Sequence, residues 1–62
     1  MNNSQKLNLL LSKYNFSLQI IFDINKRLGD FALSSPSDKA MEAYAGQQVK
    51  YLENIINYLE VK

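Results

Sequence analysis

The sequence predicts an all-α fold: a two-helix antiparallel hairpin with coiled-coil-like packing, completed by a partner or by self-association. Three observations predict it. Polar residues recur through the first half at spacings of three and four. A serine-proline stop divides the chain near its middle. The first helix carries more apolar surface than one neighbour covers.

The polar residues are Asn8, Ser12, Asn15, Gln19, Asp23, Lys26 and Asp30. Their spacings place all seven in one narrow stripe of a helix, and no strand produces that pattern. Leu7, Leu10, Leu11, Tyr14, Leu18, Ile21, Phe22, Ile24 and Leu28 form a broad apolar face against it. Leu9, Phe16 and Ile20 lie beyond that face, on the other flank of the polar stripe. Apolar side chains thus occupy roughly two thirds of the circumference, against the ~100° stripe of a one-sided surface helix. The first helix is expected over about 4–31.

Gly29 is a candidate C′ residue for this helix, and Phe31 and Leu33 extend it by a turn in the alternative. The stop falls at Ser34-Ser35-Pro36, because a residue before proline is pushed out of the helical region. The turn is expected at about 32–35. Ser35 then reads as N-cap, Pro36 as the first helical residue and Asp38 as a capping-box partner near the positive helix end.

The second helix is expected over about 36–61. Met41, Tyr44, Ala45, Gln48, Val49, Leu52, Ile55, Ile56 and Leu59 make its inward face, with Glu42, Gly46, Lys50, Glu53, Asn57 and Glu60 toward solvent. Ala40, Ala43, Ala45 and Gly46 are small enough for close helix approach. A short connection between helices of this length favours an antiparallel return, and the chain reads as a single helical-hairpin domain, 1–62.

Sixty-two residues suffice for one domain. A chain this short hides only about 60% of the surface its unfolded form exposes. With ordering costs of about 1.5 kcal/mol per residue, such a core roughly breaks even. There is no Cys and no His, so disulfides, thiolate chemistry and ordinary zinc sites are excluded. A partner, or unusually good helix packing, is left to supply the stability.

Seven basic residues stand against six acidic ones, dispersed along the chain. Lys26-Arg27 is an adjacent basic pair, but Asp23 and Asp30 flank it, so no phosphate track forms and no nucleic-acid partner is expected. The apolar-leaning run from Tyr14 to Phe22 is too short for a bilayer, and no signal-peptide pattern precedes it. The expectation is a cytoplasmic protein without membrane insertion. The carboxylates read as isolated on solvent faces, with Asp23–Lys26 and Glu53 with Lys50 or Asn57 as helix-surface pairs. No catalytic residue, metal site or cofactor is expected, and the chain is not read as an enzyme.

The candidate partner-binding residues form two groups. Leu9, Phe16 and Ile20, large and at helical spacing on the far flank, are expected to form an exposed strip, and such strips mark interaction sites. Tyr44, Tyr51 and Tyr58 stand seven apart along one edge of the second helix. They read either as half-buried boundary packing or as an anchor row for a partner. Gln48, among apolar neighbours, either fixes helix register or lies near the surface.

The stretch Gln47 to Leu59, and Glu53-Asn54-Ile55-Ile56-Asn57 most closely, resembles the second helix of type III secretion needle-subunit co-chaperones, the YscE-like small helical hairpins. The leucine-rich start at Leu7 to Leu11 and the position of the loop are similar too. The resemblance implies a chaperone role in virulence-linked protein transport. The hairpin would bind a larger, tetratricopeptide-like helical-repeat chaperone, and the pair would keep a needle subunit soluble before export. No motif of that family maps contact residues onto this chain position by position. The alternative from the residues alone is a homodimeric four-helix-bundle regulator that binds and inhibits another protein or, as a lesser alternative, RNA.

Overall fold

The computed structural model describes residues 2–61, with side chains to 59. These residues form three helices and no strand: α1 (Asn3–Lys13), α2 (Leu18–Ala32) and α3 (Asp38–Val61). The all-α expectation stands, but the two-helix hairpin is corrected. The predicted first helix is broken at residues 14–17, and the molecule is a three-helix bundle.

Each helix begins at a polar cap. Asn2 closes a capping box with Gln5: its Oδ1 accepts from the Gln5 N–H at 2.8 Å, and its own N–H donates to Gln5 Oε1 at 3.2 Å. At the break, Tyr14 is extended (φ −106°, ψ 149°) and Ser17 Oγ accepts from the Ile20 N–H at 3.3 Å, starting α2. Asn15 and Ser17 are residues whose side chains favour caps over helix interiors, so the break falls where propensity is weak. Opening the helix there forgoes up to about four backbone hydrogen bonds, each worth about 1 kcal/mol net. Phe16 and Ile24 become buried in return, at about 1.5–3 kcal/mol each, with Ile20, Ile21 and Leu28 packed around them. Burial wins, and the polar stripe that reads as continuous in sequence is cut.

The expected start of the last helix is also corrected. Ser37, not Ser35, is the cap: its Oγ accepts from the Ala40 N–H at 3.1 Å and its carbonyl from the Met41 N–H at 2.9 Å. Helix α3 therefore starts at Asp38 rather than residue 36. Ser35 is left-handed, with φ 55°. Proline bars its predecessor from the helical region, as expected, but the chain leaves by the left-handed well and the capping geometry moves two residues on. Gly29 is interior to α2, which runs on to Ala32 with Leu33 as its cap, so the alternative with a longer helix is the one observed.

Helix α3, 24 residues long, is the spine of the bundle. Helix α1 lies parallel to it, with Asn3 beside Glu42 and Lys6 near Glu53. Helix α2 returns antiparallel, with Phe31 beside Tyr44 and Arg27 beside Tyr51. Both pack on α3, α1 more extensively, and touch each other little. The core is Leu7, Phe16, Ile24, Val49, Leu52 and Ile56, with Ala45 adjoining. Leu59, expected inward, is exposed.

Glu42 and Gly46, expected toward solvent, instead seat α1. The Asn3 N–H donates to the Glu42 carboxylate, and Asn3 Nδ2 donates to the Glu42 carbonyl at 3.2 Å. The carboxylate thus meets an orphan amide at the positive end of α1. A Cβ at residue 46 would lie 2.6 Å from Asn3 Nδ2, so any larger residue there makes the flexible Asn3 side chain swing aside. Gln48 is buried at 5% exposure, and its Oε1 has no hydrogen-bond partner among the described residues.

Candidate partner-binding surface

Helix α2 is apolar on two opposite sides. Ile24 is fully buried, and Ile20, Ile21 and Leu28 pack against the core beside it. On the far side Leu18 is 68% exposed, Phe22 65% and Leu33, at the cap, 84%. At ~100° per residue, Leu18, Phe22, Asn25, Gly29 and Leu33 fall within roughly 80° of one another. They form one stripe with three large apolar side chains. Gly29 has open space on it, with no neighbouring atom where a Cβ would stand. Lys26 borders the stripe on the side of the polar residues.

The expected strip of Leu9, Phe16 and Ile20 is not a surface in this fold. Phe16 is 8% exposed, a core residue whose ring lies 6.0 Å from that of Tyr14. Ile20 is half-buried against the core, and Leu9 alone of the three is exposed. The correction has a simple cause. The strip exists only on one continuous helix, and the break at residues 14–17 separates Leu9 from the other two and turns Phe16 inward.

Two of the three tyrosines pack against α2. The Tyr44 ring stacks on Phe31 at 4.3 Å between centroids, and the Arg27 guanidinium lies 5.2 Å from the Tyr51 centroid. Asp23 holds Arg27 from the previous turn at 2.9 Å. Tyr44 and Tyr51 thus form the seam between α2 and α3, while Tyr58 is exposed near the end of α3. Glu53, expected to pair within its own helix, meets Lys6 of α1 at 3.7 Å.

A groove of about 420 Å³, open to solvent, lies between α1 and α3 and is lined by Leu10, Tyr14, Lys50, Glu53, Asn54, Ile56 and Asn57. Its one carboxylate is the one facing Lys6. Among the described residues no three Asp or Glu side chains gather as metal ligands would. No helix among them is long and apolar enough to cross a membrane.

Residues 4–57 match a family of unknown function, DUF6877. The chain belongs to that family. The DUF6877 match runs from the first turn of α1 into the last turns of α3, so it contains the break, the α2 stripe as far as Leu33, and the cap at Ser37. No curated protein and no solved structure shows significant similarity to this DUF6877 member.

The exposure of Leu18 and Phe22 is hidden in the sequence for one reason. Leu18 and Phe22 share a helical face with Leu7 and Leu11, which are buried or half-buried, so a continuous helix assigns all four inward. The available signal was Ser17, a cap residue followed three positions later by an apolar run.

Proposed function

We propose that this DUF6877 protein is a non-catalytic adaptor that binds an amphipathic helix of another protein along the outer stripe of α2. The observation that carries the reading is the exposure of Leu18, Phe22 and Leu33 together, on the side of α2 opposite its buried Ile24. Scattered surface leucines need no explanation, but large apolar side chains aligned on one face of a helix, here with Asn25 and Gly29 between Phe22 and Leu33, mark a contact site. The open space at Gly29 leaves a notch in the row that accepts a side chain from a facing helix. Helix-in-groove recognition uses anchors at such spacings.

The partner class we favour is a helical-repeat, tetratricopeptide-like chaperone, with a type III secretion needle subunit as its client. Support comes from the likeness of Gln47 to Leu59 to the second helix of the YscE-like co-chaperones, and from the surplus apolar surface. The break in the first helix departs from a simple hairpin, so the adaptor reading stands more broadly than the chaperone one.

The test is reconstitution from purified components. A one-to-one complex with the chaperone, measured by calorimetry, is expected to be lost in a Leu18→Ser/Phe22→Ser variant of unchanged helicity. Normal binding by that variant removes α2 as the interface. A tight partner without helical repeats removes the chaperone assignment and keeps the adaptor.

A further inference from the structure

The face that α1 lays on α3 and the face that α2 turns to solvent are one stripe in the sequence. With helical register carried through the break, Leu7, Leu11, Tyr14, Leu18 and Phe22 fall within roughly 80°. In the folded chain Leu7 is buried and Leu11 and Tyr14 pack on the core, while Leu18 and Phe22 are exposed. By the same register Phe16 joins Ile20 and Ile24 on the opposite face, the one that packs against α3. A straight helix over residues 3–32 would therefore keep both packing faces intact.

The hinge permits this. Asn15, Phe16 and Ser17 include no Gly or Pro, so a helix through them meets no barrier beyond modest propensity. The break is held on its C-terminal side by Ser17, whose side-chain hydrogen bond is long at 3.3 Å. Short hinge connections of this kind favour exchange of elements between copies. The far end of α3 also has uncovered apolar surface. Leu59, exposed one turn beyond Ile56, lines an open cleft of about 130 Å³ with Tyr14, Asn15, Phe16 and Ile56. Because α1 runs parallel to α3, a helix continuing past Tyr14 carries Leu18 toward that residue.

We infer that the chain dimerises by exchanging α1. Residues 3–32 straighten into one helix, and α1 of each copy takes the seat on α3 of the other. A second copy fits because it brings the same contacts: Asn3 to Glu42 and Gly46, Lys6 to Glu53, and Leu7 into the core. The exchange restores the hydrogen bonds lost at the break, places Leu18 over Leu59 of the second copy and leaves Phe22 at the junction of the two bundles. The dimer does not rest on the adaptor reading. It covers part of the same stripe, so an outside partner competes with it.

The test uses the absence of native cysteine. A chain carrying Asn3→Cys is mixed at high concentration with one carrying Gly46→Cys, then oxidised. Exchange brings the two thiols together between chains, and a mixed disulfide dimer is expected. It should disappear when both chains also carry Asn15→Pro, which suits the extended backbone of Tyr14 and forbids the straight helix. In parallel, the mass of the unaltered chain is expected to shift toward dimer with concentration and to revert to monomer with Asn15→Pro. If folded chains give no more mixed disulfide than an Asn3→Cys and Asn25→Cys control pair, the exchange is wrong. A dimer that survives Asn15→Pro also overturns it.

Discussion

Leu7 and Leu18 occupy nearly the same helical azimuth in the sequence, yet Leu7 is buried in the core and Leu18 projects into solvent. The relation between them is broken by the extended backbone at Tyr14 and the cap at Ser17. Everything distinctive about the surface follows from that interruption, because it rolls α2 so that one apolar side meets α3 and the other meets water.

Phe16 and Phe22 are predicted to respond oppositely to truncation. Phe16→Ala removes a core ring and should cost about 3–5 kcal/mol, enough to unfold much of so small a domain. Phe22→Ala lies on the exposed stripe and should change stability by less than about 0.5 kcal/mol. Urea denaturation followed by circular dichroism separates the two.

The loop before α3 makes a second contrast. Ser37→Ala loses the cap on Ala40 and should cost about 1 kcal/mol, whereas Ser35→Ala caps nothing and should cost little. Ser35→Gly relieves a left-handed residue and should stabilise by about 0.5–1 kcal/mol. Thermal melts of the three variants give the order.

Gln48 carries a buried carbonyl oxygen without a partner, a desolvation cost of about 1–3 kcal/mol. Gln48→Met keeps the length and removes the polar group, so it should raise the urea midpoint. A fall in stability would mean that the amide is satisfied in solution.

Glu42 and Glu53 test which polar contacts hold α1. Glu53→Gln breaks a half-exposed ion pair and should matter by less than about 1 kcal/mol. Glu42→Ala takes an acceptor from the first amide of α1, that of Asn3, and should speed hydrogen exchange across Asn3–Lys13 selectively.

The sequence carried the helical class, the proline-imposed stop and most of α3, because those depend on local chemistry: a periodic apolar pattern, a residue before proline, small residues at Gly46. It did not reveal the break at residues 14–17. The stripe Asn8, Ser12, Asn15, Gln19 runs through it without interruption, and only tertiary burial of Phe16 and Ile24 decides against the straight helix. The expected exposed strip is absent for the same reason. Leu9, Phe16 and Ile20 are neighbours only on a helix that the folded chain does not form, while Leu18 and Phe22 look buried only on that helix. Tyr44 and Tyr51 resolved toward packing because Phe31 and Arg27, which the seam supplies, are set by the register of α2 against α3.

The most direct measurement compares the phenylalanine rings in the unaltered, dilute protein by NMR with a soluble paramagnetic probe. Phe22 ring signals are expected to broaden strongly while those of Phe16 are spared. Equal protection of both rings, or broadening of Phe16 with Phe22 spared, would contradict the break and with it the outward face of α2.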